Sequence, residues 1–69
     1  MRVISQDGMF SVPFDYTILM VEDCNILAST VDSPFNRIMA KYDTPEEALS
    51  AFRDMHRDYI DEYDLFQFK

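Results

Sequence analysis

The sequence predicts an α+β protein: a small antiparallel sheet of five or six strands with one amphipathic helix packed across a face. Three observations predict it. Short β-rich segments separated by turn residues fill residues 1 to 43. One later segment, Thr44 to Tyr63, carries helical rather than alternating periodicity. Strands that come first and a helix that comes late favour segregated layers over a βαβ weave.

The strands are justified in order. Met1 to Gln6 is short and rich in β-formers, and Asp7-Gly8 is a hairpin signal whose two positions both take positive φ. Met9 to Val12 returns, and Pro13 stops that strand or marks a sheet edge. Phe10 and Val12 share a face, which Phe14 extends. Tyr16 to Glu22 is nearly continuous apolar sequence. It reads as a central strand buried on both faces, or as one covered by a partner molecule. Asp23-Cys24-Asn25 is the next turn, and Ile26 to Val31 returns, growing polar at Ser29 and Thr30. Asp32-Ser33-Pro34 opens a loop that continues through Phe35-Asn36. Arg37 to Tyr42 is a fifth strand, with Ile38, Ala40 and Tyr42 on one side and Arg37, Met39 and Lys41 on a solvated side.

The helix is written most clearly. Thr44 is an N-cap, Pro45 suits the first helical position, and Glu47 completes a capping box. Glu46 and Glu47 place negative charge at the positive end of the helix dipole. Ala48, Leu49, Phe52, Met55, Tyr59, Ile60 and Tyr63 fall within an arc of roughly 140°, with Ala51 on its border. Phe52, Met55, Tyr59 and Tyr63 are expected core residues. The other side is charged, and its C-terminal end gathers Asp58, Asp61, Glu62 and Asp64 where the dipole prefers cations. Leu65 to Phe68 alternates weakly and makes a sixth strand, paired with an edge of its own sheet or with another chain.

Size and charge bound the function. Sixty-nine residues make one domain, 1–69, which buries a modest fraction of its surface. The single cysteine, Cys24, rules out an internal disulfide, and no His/Cys cluster suggests zinc. Oligomerisation is the favoured added support for so small a fold, while six Phe and four Tyr leave an unaided fold open. A formal charge of −7 argues against direct binding to a nucleic-acid backbone and against anionic membrane surfaces. No apolar run approaches the roughly 20 residues that span a bilayer. One free cysteine and no targeting segment fit the cytoplasm.

Signals for chemistry are weak. His56, the only histidine, sits at the edge of the apolar arc with no nucleophile or orienting group signalled nearby. Cys24 lies in a turn beside Glu22 and Asp23, the opposite of the cationic setting that activates a thiol. Asp58, Asp61, Glu62 and Asp64 lack the spacing and the glycine of a calcium loop. Gly8 is the only glycine, so no glycine-rich phosphate loop exists. No enzyme, cofactor or metal is expected.

Met1-Arg2-Val3-Ile4-Ser5-Gln6-Asp7-Gly8, followed by Val12-Pro13-Phe14, resembles the start of a largely uncharacterised family of small proteins from phages and mobile elements of Gram-positive bacteria. The likeness continues at Tyr42-Asp43-Thr44-Pro45-Glu46-Glu47-Ala48-Leu49 and at Phe66-Gln67-Phe68. Glu22 to Arg37 matches no motif of the family. Phe14 stands where the family usually has tyrosine, and the acidic tail of some relatives is missing. The resemblance brings no catalytic residues. It implies a phage-type accessory protein in the bacterial cytoplasm, a setting in which small proteins bind and block host defence systems.

Three interaction readings follow. The leading one is a non-enzymatic protein, a homodimer, that binds and inhibits or modulates a host protein such as an anti-phage defence component. Ile18, Met20, Leu65, Phe66 and Phe68 are its candidate dimer surface, on strands whose exposed edges invite pairing. The second is mimicry of nucleic acid, with Asp54, Asp58, Asp61 and Glu62 as an acidic face that blocks a nuclease channel. The third is a dimeric sponge for a small nucleotide signal, with Tyr16, Phe35 and Tyr63 stacking on the base and Arg37 and Lys41 as the nearest cationic pair.

Overall fold

The computed structural model describes residues 1–30 and 36–69. The expected loop over 32–36 therefore lies outside the described residues apart from Asn36, as does Phe35, and so does Val31 at the end of the expected fourth strand. The class is α+β, but the strands form two three-stranded sheets rather than one. Strands β1 (Arg2–Ile4), β2 (Ser11–Pro13) and β6 (Leu65–Gln67) make the first, in the order β2-β1-β6. Strands β3 (Ile18–Glu22), β4 (Asn25–Ser29) and β5 (Arg37–Lys41) make the second, a meander. β6 runs parallel to β1, with Val3 opposite Phe66, so the first sheet is mixed and not antiparallel.

The β1–β2 hairpin turns more tightly at one residue than expected. Gly8 alone has positive φ, at 77°, and Asp7 does not share it. Side chains take over the rest of the turn. The buried Ser5 hydroxyl donates to Asp7 Oδ1 at 2.6 Å and accepts the Phe10 N–H at 3.0 Å. Asp7 Oδ1 also accepts the Met9 N–H at 2.9 Å, and the Gly8 N–H closes onto the Ser5 carbonyl at 2.9 Å. These bonds hold the Asp7 carboxyl below its usual range, the Ser5 hydroxyl being the larger cause and the Met9 N–H the next. Ser5-Gln6-Asp7-Gly8 is thus a folding motif, with the Ser5 hydroxyl and one Asp7 carboxylate oxygen both engaged in the turn.

Gln6 joins the two sheets. Its N–H donates to the Met39 carbonyl at 2.7 Å, its Oε1 accepts the Lys41 N–H at 3.0 Å, and its Nε2 donates to the Lys69 carbonyl at 2.9 Å. One side chain thereby covers the outer edge of β5 and the end of the chain beyond β6.

Two strand assignments change. The chain from Phe14 to Tyr16 is a 3₁₀ segment, so β3 begins only at Ile18. β3 is also an edge strand rather than a central one. Its alternation is real: Leu19 and Val21 pack on the core, whereas Ile18 points away and is 52% exposed. In β5 the pairing jumps from Ala40 opposite Ile26 to Ile38 opposite Leu27, which leaves Met39 as an extra residue. The bulge breaks the alternation. Met39 and Ala40 are both buried, while Ile38 is 51% exposed, the reverse of the faces expected for Met39 and Ile38.

Helix α1 (Pro45–Ile60) starts at Thr44, whose Oγ1 accepts the Glu47 N–H at 3.2 Å. It ends in a Schellman arrangement: Tyr63 N–H to the Asp58 carbonyl at 3.0 Å and Glu62 N–H to the Tyr59 carbonyl at 3.1 Å. Glu62 sits at the left-handed position with φ 64°. The core gathers Val3, Ile26, Ala28, Met39, Ala40, Ala48, Met55 and Phe68 from both sheets and the helix. Phe10, Val12 and Phe14 pack against it from the first sheet's side, as their shared face predicts.

Candidate interaction surfaces

The helix is rotated from its expected setting. Ala48 and Met55 are fully buried and Phe52 is half-buried, but Leu49 is 40%, Tyr59 39%, Ile60 76% and Tyr63 59% exposed. The predicted arc was wide enough to hold two stripes. One, through Ala48, Ala51, Phe52 and Met55, faces the core. The other runs Leu49, Phe52, His56, Ile60 and lines a shallow apolar hollow with Arg53 and Arg57. Ile60 continues into a second hollow with Met1, Tyr59 and Tyr63. Positions 49, 52, 56 and 60 repeat at the spacing of a helix that docks into a groove.

An aromatic cluster stiffens this stripe. Phe14 stacks on Tyr59 with ring centroids 4.1 Å apart and meets the His56 ring edge-on at 5.5 Å. His56 lies 4.6 Å from Phe52, and its Nδ1 donates to the Phe52 carbonyl at 2.9 Å. A carbonyl only accepts, so that bond places the ring proton on Nδ1. His56 is held as part of a surface and not poised beside a nucleophile. The Tyr59 hydroxyl donates to Asp15 Oδ1 at 2.7 Å, and that bond, followed by the charge of Asp15, raises the phenol above its ordinary value.

The candidate dimer residues separate into two places. Register puts Ile18, Met20, Leu27 and Ile38 on the outer face of the second sheet, away from the helix. Ile18 and Ile38 are both about half exposed there. Leu65 is 56% exposed on β6, and Phe66 is half-buried. Phe68 is 1% exposed, packed edge-on against Phe66 with centroids 5.0 Å apart. It belongs to the core and not to a dimer surface, because β6 stays in its own sheet and turns Phe68 inward.

The four carboxylates expected to form one acidic face do not. Asp54 and Asp58 are half-buried and line a groove of about 600 Å³ between α1 and β6. Asp54 is also tied to Arg57 at 2.6 Å. Asp61 is the exposed C-cap, and Glu62 lies past the helix end in the left-handed turn. A continuous helix would carry positions 54, 58, 61 and 62 on one face; they part because α1 ends at Ile60 and the chain turns away through the left-handed Glu62. The same groove holds Tyr42, whose buried hydroxyl meets no hydrogen-bond partner of good geometry among the described residues. Burial, with the Asp54 charge second, raises its phenol above the ordinary value.

Other expected sites are also dispersed. Tyr16 is 77% exposed on the 3₁₀ segment, while Tyr63 lies beyond the helix. Arg37 is engaged over the Phe10 ring, 4.7 Å from its centroid. Cys24 is half-buried and its Sγ lies 3.8 Å from the Asp43 carbonyl. Among the described residues no group of three or more His, Cys, Asp or Glu is arranged to hold a metal ion. No described helix is long and apolar enough to cross a membrane.

No family model, no characterised protein and no solved structure matches this chain.

Proposed function

We propose that this chain is a non-enzymatic, phage-type accessory protein that binds and inhibits or modulates a host protein, an anti-phage defence component being the best fit to its resemblance. The observation that carries the reading is the helix stripe of exposed Leu49, His56 and Ile60 beside half-buried Phe52, which Tyr63 adjoins past the helix end. Leu49 and Ile60 face water at docking spacing and add nothing to the core that Ala48, Phe52 and Met55 build from the same helix. Affinity capture from bacterial lysate tests it, with the wild type beside a Leu49→Glu/Ile60→Glu variant of unchanged melting temperature. A stoichiometric host protein held by the wild type and lost by the variant supports the reading. Equal capture by both sinks it.

A homodimer is part of the proposal, and the outer face of the second sheet supports it. Ile18, Met20 and Ile38 present apolar surface around the buried Leu27, and the register sets Glu22 and Lys41, of opposite charge, at one end of the same face. Light scattering reads the outcome directly: a mass near 8.2 kDa at micromolar concentration contradicts the dimer.

A further inference from the structure

We propose that the edge of β6 left unpaired among the described residues takes an extended, lysine- or arginine-bearing segment of another protein as an added strand. The parallel register decides which groups are available. Asp64 and Phe68 hydrogen-bond to β1, through Arg2 N–H to the Asp64 carbonyl at 2.9 Å and Phe68 N–H to the Ile4 carbonyl at 3.1 Å. Main-chain groups alternate along a strand, so Leu65 and Gln67 direct both N–H and C=O away from β1. Those groups open on the groove of about 600 Å³ whose far wall is α1. Leu65 and Phe66 give it an apolar floor, and a strand laid there gains main-chain bonds from β6 and side-chain contact from the helix.

Charge selects the occupant. Glu47, Asp54 and Asp58 face the groove against Arg57 and Lys69, and Arg57 is already engaged by Asp54. The whole chain adds a formal charge of −7 behind them. A segment with cations at alternate positions turns them toward these carboxylates on the Phe66 side of β6, while its intervening side chains lie on the opposite face beside Leu65. A second copy fits poorly, because a two-fold contact of β6 with itself brings the two sets of carboxylates together. This surface shares only Arg57 with the hollow along the helix stripe, so either proposal can fail alone.

The test uses two blocked heptapeptides, one alternating lysine and valine and one alternating glutamate and valine, titrated into the labelled protein and followed by amide NMR shifts. The lysine peptide is expected to shift Leu65, Gln67, Asp54 and Asp58 saturably, less so as salt rises, and the glutamate peptide is not. Gln67→Pro removes an outward N–H while sparing the β1 ladder, as proline does on an edge strand. It is expected to keep the fold and weaken the lysine peptide by about tenfold, about 1.4 kcal/mol. If that variant fails to fold, Asp54→Asn/Asp58→Asn decides, with a comparable loss expected. No binding, equal response to both peptides, or unchanged binding by a folded variant overturns the proposal. So does a concentration-dependent doubling of mass that Gln67→Pro abolishes, which assigns the edge to a second copy.

Discussion

Replacing Glu62 by glycine is expected to stabilise the protein. Glu62 occupies the C′ position of the helix-ending turn with φ 64°. An L-residue held in the left-handed region loses about 1–2 kcal/mol. Glycine removes that strain but carries its own backbone-entropy cost of about 0.5–1 kcal/mol. Losing a carboxylate from the negative end of the helix dipole returns about 0.3 kcal/mol. The net gain is about 1 kcal/mol, which for a domain of this size raises the melting temperature by about 4–8 °C. Thermal and urea unfolding followed by far-UV circular dichroism measure it. Glu62→Gln separates the two contributions, since it removes the charge and keeps the strained φ. A glycine variant that melts at or below the wild type refutes the reasoning. A glutamine variant that captures the whole gain shows that charge, not backbone strain, was responsible.

Other outcomes follow from the same contacts. Thr44→Ala removes the helix cap and is expected to cost about 1 kcal/mol in urea unfolding. Gln6→Ala breaks the side-chain bonds to Lys41 and Lys69 and is expected to cost about 1 kcal/mol. Its specific signature is faster hydrogen exchange at the Lys41 amide, with the helix amides changed only by the global loss. Asp7 has a folded-state value below its unfolded one. Its contribution is therefore present above the unfolded carboxylate range and fades as pH falls through the lowered folded value. The stability gap between the wild type and Asp7→Ala is expected to be larger at neutral pH than in strong acid, and an identical gap at both contradicts the turn geometry.

Much of the fold was legible because local signals agreed. Thr44, Pro45 and Glu47 announced the helix start, and Pro13 marked an edge strand that ends there. Asp7-Gly8 announced a turn, although its detailed geometry came from the Ser5 and Asp7 side chains. The misreadings share a cause in long-range pairing. Period-2 reasoning put Met39 outside because nothing local signals the bulge opposite β4. Tyr16 to Glu22 read as a central strand because apolar composition does not distinguish burial from an exposed outer face. The helix arc held two stripes, and only the docking of Met55 and Ala48 onto the core decided which one faced water. The parallel pairing of β6, and with it the inward turn of Phe68, depended on which edge the chain met after the helix.

The claim that the helix stripe is covered by a partner protein has a direct measurement. A photo-crosslinking amino acid is placed singly at Leu49, at Ile60 and at Met9, and the protein is irradiated in bacterial cells. Met9 is as exposed as Ile60, 77% against 76%, but lies off the helix. One discrete adduct shared by positions 49 and 60 and missing at position 9 is the predicted result. The same adducts at all three positions, or none at 49 and 60, contradicts it.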